Sequence, residues 1–168
     1  MADKNRAVPW SSTTDNRMKL RIVFPLAIAA AACAVPWMMG RVPEFAFALQ
    51  HAFALVCHQQ PERSFFLFGG SVAVCARCLG IYVGAAIGLL IRIQRRVAMQ
   101  LLFLAVFANA ADWFAEITGL HSNWIHVRFV LGIALGTAAA MLVAASITHA
   151  PLVPATSRRS GSIQRVRS

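Results

Sequence analysis

The segment VRFVLGIALGTAAAMLVAASI, residues 127–147, contains one charged residue, Arg128, close to its beginning. An α-helix rises about 1.5 Å per residue, so a segment of this length matches a hydrocarbon core about 30 Å thick. Three more apolar blocks of comparable length lie at residues 22–39, 72–91 and 99–118. The four blocks predict an all-α integral membrane protein, a four-helix bundle in which each block spans the bilayer.

The composition of the chain also indicates a membrane protein. Hydrophobic residues make up 58% and charged residues 13%, with a mean hydropathy of +0.62, whereas a soluble domain carries about a quarter charged residues. Residues 44–57 are apolar but too short to span, and they predict an interfacial or re-entrant helix before the second span. The membrane domain is thus predicted at residues 22–148, between disordered tails at 1–21 and 149–168.

Basic residues are distributed unequally between the two sides of this predicted bundle. Of the 16 Lys and Arg residues, all but Arg41, Arg63, Arg77 and Arg128 fall on the side of the termini. The positive-inside rule therefore predicts cytoplasmic N- and C-termini and a multi-pass protein of the bacterial inner (plasma) membrane. If residues 44–57 also spanned the bilayer, the three arginines at residues 92–96 would face outward, so the same rule argues against a fifth span. The net charge of +10 is explained by this topology and by anionic lipid, so the lipid bilayer is the expected partner and nucleic acid is not.

Glycines recur every four residues in two of the spans. Gly80, Gly84 and Gly88 lie in the second span, and Gly132 and Gly136 lie in the fourth. Small residues at this interval form a groove in which another helix approaches closely. The glycines predict a tightly packed bundle, and they also provide surfaces through which a homo-oligomer could form.

Three of the four cysteines fall on the predicted outer side. Cys75 and Cys78 are three residues apart and so lie on one helical face, which Tyr82 extends by a turn. With Cys57 and His58 they form a candidate set of metal ligands. The spacing suits tetrahedral zinc, and thiolates also suit copper(I). Adjacent residues such as Cys57 and His58 are awkward as simultaneous ligands, because their side chains diverge.

The third span carries polar residues on one face. Asn109, Asp112 and Glu116 follow helical spacing, and a carboxylate within a span normally faces the bundle interior with a partner. Arg77 and Arg128 begin the second and fourth spans at a similar depth. We therefore expect Asp112 to pair with one of these arginines, either to fix the helix register or to serve a function.

Two segments together resemble the signature of a known family. The segments are CHQQPERS at residues 57–64 and CARCLGIYVG at residues 75–84. They resemble a family of small bacterial and archaeal membrane proteins known only as a domain of unknown function, and the resemblance continues to Gly136. One departure is that Trp113 follows the aspartate of the third span, where the family usually has glycine. The resemblance implies no reaction or cofactor, and it adds further candidate site residues: Arg63, Tyr82, Asp112, Asn123 and Arg128.

Three hypotheses for the function follow. The first is an outward-facing metal site for zinc or copper, in which Arg63, Arg77 and Asp112 orient the ligands. The second is a membrane thiol–disulfide oxidoreductase, similar in layout to quinone-linked disulfide-generating proteins. In that hypothesis Cys75 and Cys78 are catalytic, and Arg77 lowers a thiol pKa. The third is a structural disulfide between Cys57 and either Cys75 or Cys78. Whether the protein is an enzyme stays open at this stage.

Overall fold

The computed structural model describes residues 12–120 and 124–148 of the chain, and this part is built almost entirely of helices. A short antiparallel hairpin pairs Phe66 with Ser71 and Leu67 with Gly70. The all-α class is therefore confirmed. The elements in chain order are α1 (Ser12–Met39), α2 (Pro43–Ala54), a 3₁₀ turn (Pro61–Arg63), β1 (Phe66–Leu67), β2 (Gly70–Ser71), α3 (Ala76–Gly88), α4 (Arg95–Ile117) and α5 (Ile125–Thr148).

Three of the described helices are long and apolar enough to cross a membrane. By length and composition, the candidate spanning segments are Lys19–Met39, Arg95–Ile117 and Ile125–Ile147. α1 begins at Ser12, within the predicted tail of residues 1–21, and residues 149–168 lie outside the described residues. The short helix predicted before the second span is α2.

The second span differs from its prediction. The apolar block covers residues 72–91, but only Ala76–Gly88, 13 residues, are helical. Val72, Ala73 and Val74 instead form an irregular, bent segment and are almost fully buried. The amide of Val72 donates to the carbonyl of Phe65 at 2.9 Å. Hydropathy detects the apolar character of this segment but not its irregular backbone.

A proline in α1 explains how this irregular segment is held in place. Pro36 lies inside α1 and has no N–H, so it leaves the carbonyl of Ala32, four residues earlier, without its helical donor. The amide of Ala73 donates to this carbonyl at 3.3 Å. Non-helical backbone within a membrane domain is tolerated where protein covers it and satisfies its polar groups. Pro36 therefore creates the acceptor that Ala73 uses.

The closest packing in the molecule joins α3 to α5 through the predicted glycines. A Cβ atom on Gly84 or Gly88 would collide with the backbone carbonyl of Ile133 or Thr137, respectively, and one on Gly136 would collide with that of Ile81. Residues later in α3 contact residues later in α5, so the two helices are parallel. The close approach indicated by the glycine spacing thus occurs within one chain. An oligomer formed through these grooves stays a prediction.

Polar contacts between α4 and α5 fix the direction of α4. Asn109 donates from Nδ2 to the carbonyl of Leu131 at 3.1 Å, and Glu116, further along α4, pairs with Arg128 near the beginning of α5. α4 is therefore antiparallel to α5 and to α3. The alternating directions of α3, α4 and α5 are those of a chain that crosses a bilayer repeatedly, and they bring the beginning of α3, the end of α4 and the beginning of α5 together.

Candidate functional site

The candidate site lies where α3 begins, and three thiols meet there. The Sγ atoms of Cys57, Cys75 and Cys78 all lie within 4.8 Å of one another. Cys57 follows α2, where its amide donates to the carbonyl of the buried Phe53 at 2.9 Å. Cys75 caps α3, and its own amide donates to the Cys57 sulfur at 3.2 Å. We call these three residues the thiol site.

His58 is not part of the thiol site, contrary to the sequence prediction. Cys57 is buried while His58 is exposed, because side chains of adjacent residues point in different directions. Among the described residues, the group of ligand atoms consists of the three cysteine sulfurs alone. Gln59, with a positive φ of 48°, turns the chain back so that its side chain donates to the carbonyl of Gln50 at 2.6 Å. The predicted set of four ligands is therefore reduced to three.

The first thiol of the CxxC pair is activated by its neighbours. Cys75 precedes α3 and lies outside the three long helices. A hydrogen bond from the Cys78 side chain, aided by the backbone of Cys78, the Cys57 thiol and the backbone of Arg77, lowers the pKa of the Cys75 thiol to about 5. A thiolate at the beginning of a helix is stabilised in the same way in reactive cysteines.

An ion-pair network lies beside the thiol site, on the α4 side of α3. Arg77 donates from Nη2 to Oδ2 of Asp112 at 2.6 Å, and Nε of Arg128 lies 3.9 Å from the same oxygen. The predicted pairing of Asp112 is therefore confirmed, and it involves both candidate arginines. Asp112 and Arg128 are both buried, so each charge depends on its partner for stabilisation.

Glu116 extends this network by one turn of α4. Its carboxylate pairs with Arg128 and with Arg63, whose Nη2 lies 3.0 Å from Oε1. Arg63 belongs to the 3₁₀ turn, so this pair ties the loop after Cys57 to α4. The sequence interpretation assigned Arg63 to orienting a metal and missed its pairing with Glu116. The four-residue spacing from Asp112 indicated that Glu116 shares its helix face, but it did not identify Arg63 as a partner.

The first turn of α3 therefore contributes to both the thiol site and the ion-pair network. The sulfurs of Cys75 and Cys78 lie close to the sulfur of Cys57. Arg77, between the two cysteines in sequence, reaches Asp112 on α4. Tyr82, one turn further, packs with the thiols against the buried core. Cys33 also packs against this core but is not part of the thiol site. The remaining predicted site residue, Asn123, lies outside the described residues.

Comparison with known proteins assigns the chain to a family. The family described as "Predicted membrane protein (DUF2085)" matches residues 57–142, which includes the thiol site and the network. The chain belongs to this family of membrane proteins.

Two archaeal proteins of uncharacterised function are similar to this chain. The one from Methanocaldococcus jannaschii is 37% identical over 95 residues, covering 52% of this chain and 61% of its own length. The one from Methanothermobacter thermautotrophicus is 35% identical over 95 residues, covering 54% of this chain and 86% of its own length. The similarity thus spans about three fifths of the first relative. Archaeal relatives do not support the predicted bacterial membrane. No solved structure matches the chain.

Proposed function

We propose that this protein binds a thiophilic metal ion, zinc or copper(I), at the thiol site. The observation that carries the proposal is the convergence of three sulfur atoms, from two separate parts of the chain, within 4.8 Å. Thiolates select soft or borderline ions and disfavour magnesium and calcium, which prefer oxygen ligands. A buried Cys57 beside two partly exposed cysteines gives the ion a fixed anchor and an open approach.

The size of the thiol site suits such an ion. A Zn–S distance of about 2.3 Å places sulfurs about 3.8 Å apart in a tetrahedron and about 4.0 Å apart in a trigonal plane. Both separations lie within the 4.8 Å limit of the three sulfurs. Three protein ligands leave a tetrahedral ion one open position, as in zinc sites that bind a substrate or a water molecule. Copper(I) would be satisfied by the three sulfurs alone.

We place the thiol site on the outer side of the membrane, with both chain termini in the cytoplasm. The support is the excess of Lys and Arg on the side of the termini, together with the alternating directions of α3, α4 and α5. The ion-pair network then holds the site from the α4 side: Asp112 fixes Arg77, and Arg77 fixes the turn that carries Cys75 and Cys78. Arg77 and Asp112 are positioning residues in this proposal.

Metal analysis of matched serine variants tests the proposal. Protein purified after growth with added zinc or copper is measured by plasma mass spectrometry as wild type, Cys75→Ser and Cys33→Ser. Cys33 is the matched control, since it is the one cysteine outside the thiol site. We expect about one ion per chain in wild type and in Cys33→Ser, and a loss of most of it in Cys75→Ser. Equal metal content in all three proteins would contradict the proposal.

Thiol–disulfide exchange is a second candidate function, favoured by the proximity of the Cys75 and Cys78 sulfurs, within 4.8 Å at the beginning of α3, together with the lowered pKa of the Cys75 thiol. Its thiolate would attack the disulfide of a partner protein, forming a mixed disulfide and releasing one partner thiolate. Cys78 would then attack Cys75, releasing the second partner thiolate and leaving a Cys75–Cys78 disulfide, so the partner is reduced by two electrons. A Cys78→Ser variant is expected to accumulate the mixed disulfide. Absence of a trapped species in Cys78→Ser, with Cys75→Ser as the blank, would count against this function.

A further inference from the structure

The end of α3 farthest from the thiol site carries a second feature, a basic notch in the bundle. α3 has 13 residues and is about 20 Å long, whereas a spanning helix needs about 20 residues. Its last residue, Gly88, packs against Thr137 and Ala140 of the parallel α5. α5 continues to Thr148, which adds eight residues or about 12 Å beyond Ala140. α3 therefore ends about 12 Å short of its neighbour.

The chain that leaves α3 at this depth is rich in arginine. Arg92, Arg95 and Arg96 are all exposed, and none forms an ion pair within the part of the chain that the structure describes. Between Arg77 and Asp112 the sequence has no acidic residue. The three guanidinium groups thus form a patch of positive charge that has no counter-charge paired with it among the residues that the structure describes. We call these three arginines, with the exposed Leu90 and Ile91, the basic notch.

The depth of the notch determines what fits it. Because α5 continues past Gly88 toward the membrane surface, the chain leaves α3 below the level at which α5 ends. It then passes the exposed Leu90 and Ile91 and reaches Arg95, the first residue of the spanning segment of α4. Arginines at the end of a spanning helix lie near the lipid headgroups, and the shortness of α3 leaves room beside them for a lipid of that leaflet. A lipid at this position brings its phosphate to the arginines and its acyl chains to Leu90 and Ile91.

We propose that the basic notch binds an anionic phospholipid of the adjacent leaflet, with the headgroup phosphate held by Arg92, Arg95 and Arg96. Guanidinium groups bind phosphate oxygens in pairs of hydrogen bonds, which makes arginine well suited to this ligand. A water-soluble phosphate offers the same oxygens but no chains for the apolar part of the notch. The lipid is therefore the ligand, and the lipid class is defined by an anionic phosphate ester.

Native mass spectrometry of the full chain tests this site. Protein in detergent micelles is titrated with phosphatidylglycerol and with phosphatidylcholine of the same chains. We expect phosphatidylglycerol to bind more tightly to wild type. Near an anionic surface each arginine contributes about fivefold, so replacing all three notch arginines by Gln lowers phosphatidylglycerol affinity on the order of a hundredfold. Replacing them by Lys, which keeps the charge, lowers it only a few-fold.

A variant that loses the same number of positive charges elsewhere in the chain provides the control. Replacing Arg158, Arg159 and Arg165 by Gln removes three positive charges from the C-terminal tail and is expected to change phosphatidylglycerol affinity only a few-fold. Retained phosphatidylcholine binding by the Gln variant of the notch shows that it has folded. Wild-type affinity in that variant, or an equal loss in the tail variant, would overturn the proposal. Equal binding of soluble glycerol phosphate would also overturn it, because the ligand would then not be a lipid.

Discussion

The first turn of α3 is held in the bundle by charge as well as by packing, whereas the rest of the helix is held by packing alone. Its first turn, with Arg77 and the CxxC cysteines, is held by ion pairs to α4 and by contacts between sulfurs. Backbone packing against α5 runs along the whole helix, from Arg77 opposite Gly132 to Gly88 opposite Thr137, and from Gly80 onward it acts without ion pairs. Shape complementarity thus fixes where α3 lies, while charge fixes how its first turn is oriented. Substitutions in the ion-pair network are therefore expected to affect the thiol site while the helix packing stays intact. Substitutions of the glycines are expected to affect the helix packing instead.

Removing the buried carboxylate is expected to have the largest effect. Asp112→Asn leaves Arg77 and Arg128 without the negative charge that both face. Breaking a buried ion pair from one side costs about 3–5 kcal/mol, so we expect a loss of this size in unfolding experiments in detergent. The matched control is Glu44→Gln, which neutralises an exposed carboxylate in α2. Equal stability of the two variants would show that the network does not orient α3.

A methyl group in the glycine interface is expected to have the next largest effect. In Gly84→Ala the added Cβ collides with the backbone of Ile133, and overpacking of this kind costs about 1–3 kcal/mol. Gly40→Ala is the control, since the nearest atom to its Cβ is the Trp37 oxygen at 4.0 Å. Thermal unfolding of the two variants compares them directly. A Gly84→Ala protein as stable as Gly40→Ala would contradict the parallel packing of α3 and α5.

The outermost pair of the network is expected to have the smallest effect on stability. The side chain of Arg63 is 41% exposed, and exposed ion pairs contribute about 0–1 kcal/mol. Arg63→Gln should therefore unfold within about 1 kcal/mol of wild type, and its stability should become less sensitive to salt. A loss as large as that of Asp112→Asn would show that the 3₁₀ turn is as important to the bundle as the buried pair.

The sequence predicted the features that depend on local spacing or on an obligatory partner. A carboxylate in a membrane helix requires a cation, so the pairing of Asp112 with arginines at the beginning of neighbouring spans followed from depth alone. The glycine repeats indicated a close helix approach. They did not indicate that the partners are α3 and α5, because spacing within one helix carries no information about its neighbour.

The features that sequence reasoning missed depend on contacts between distant residues. The second span was predicted too long because residues 72–74 are apolar, yet they are not helical, and the amide of Ala73 bonds to a carbonyl that Pro36 leaves open. His58 was included as a ligand on chain proximity, although burial of Cys57 turns its neighbour outward. The pair between Arg63 and Glu116 joins residues 53 positions apart, and no local pattern identifies such a pair.

X-ray absorption at the metal edge tests the central claim most directly, because it reports the ligand atoms themselves. Wild-type protein loaded with zinc or copper(I) is compared with Cys75→Ser. We predict about three sulfur neighbours at about 2.3 Å in the wild type, with one sulfur lost or the metal released in the variant. A wild-type spectrum with only nitrogen and oxygen neighbours, or one that is unchanged in Cys75→Ser, would contradict a metal site formed by Cys57, Cys75 and Cys78.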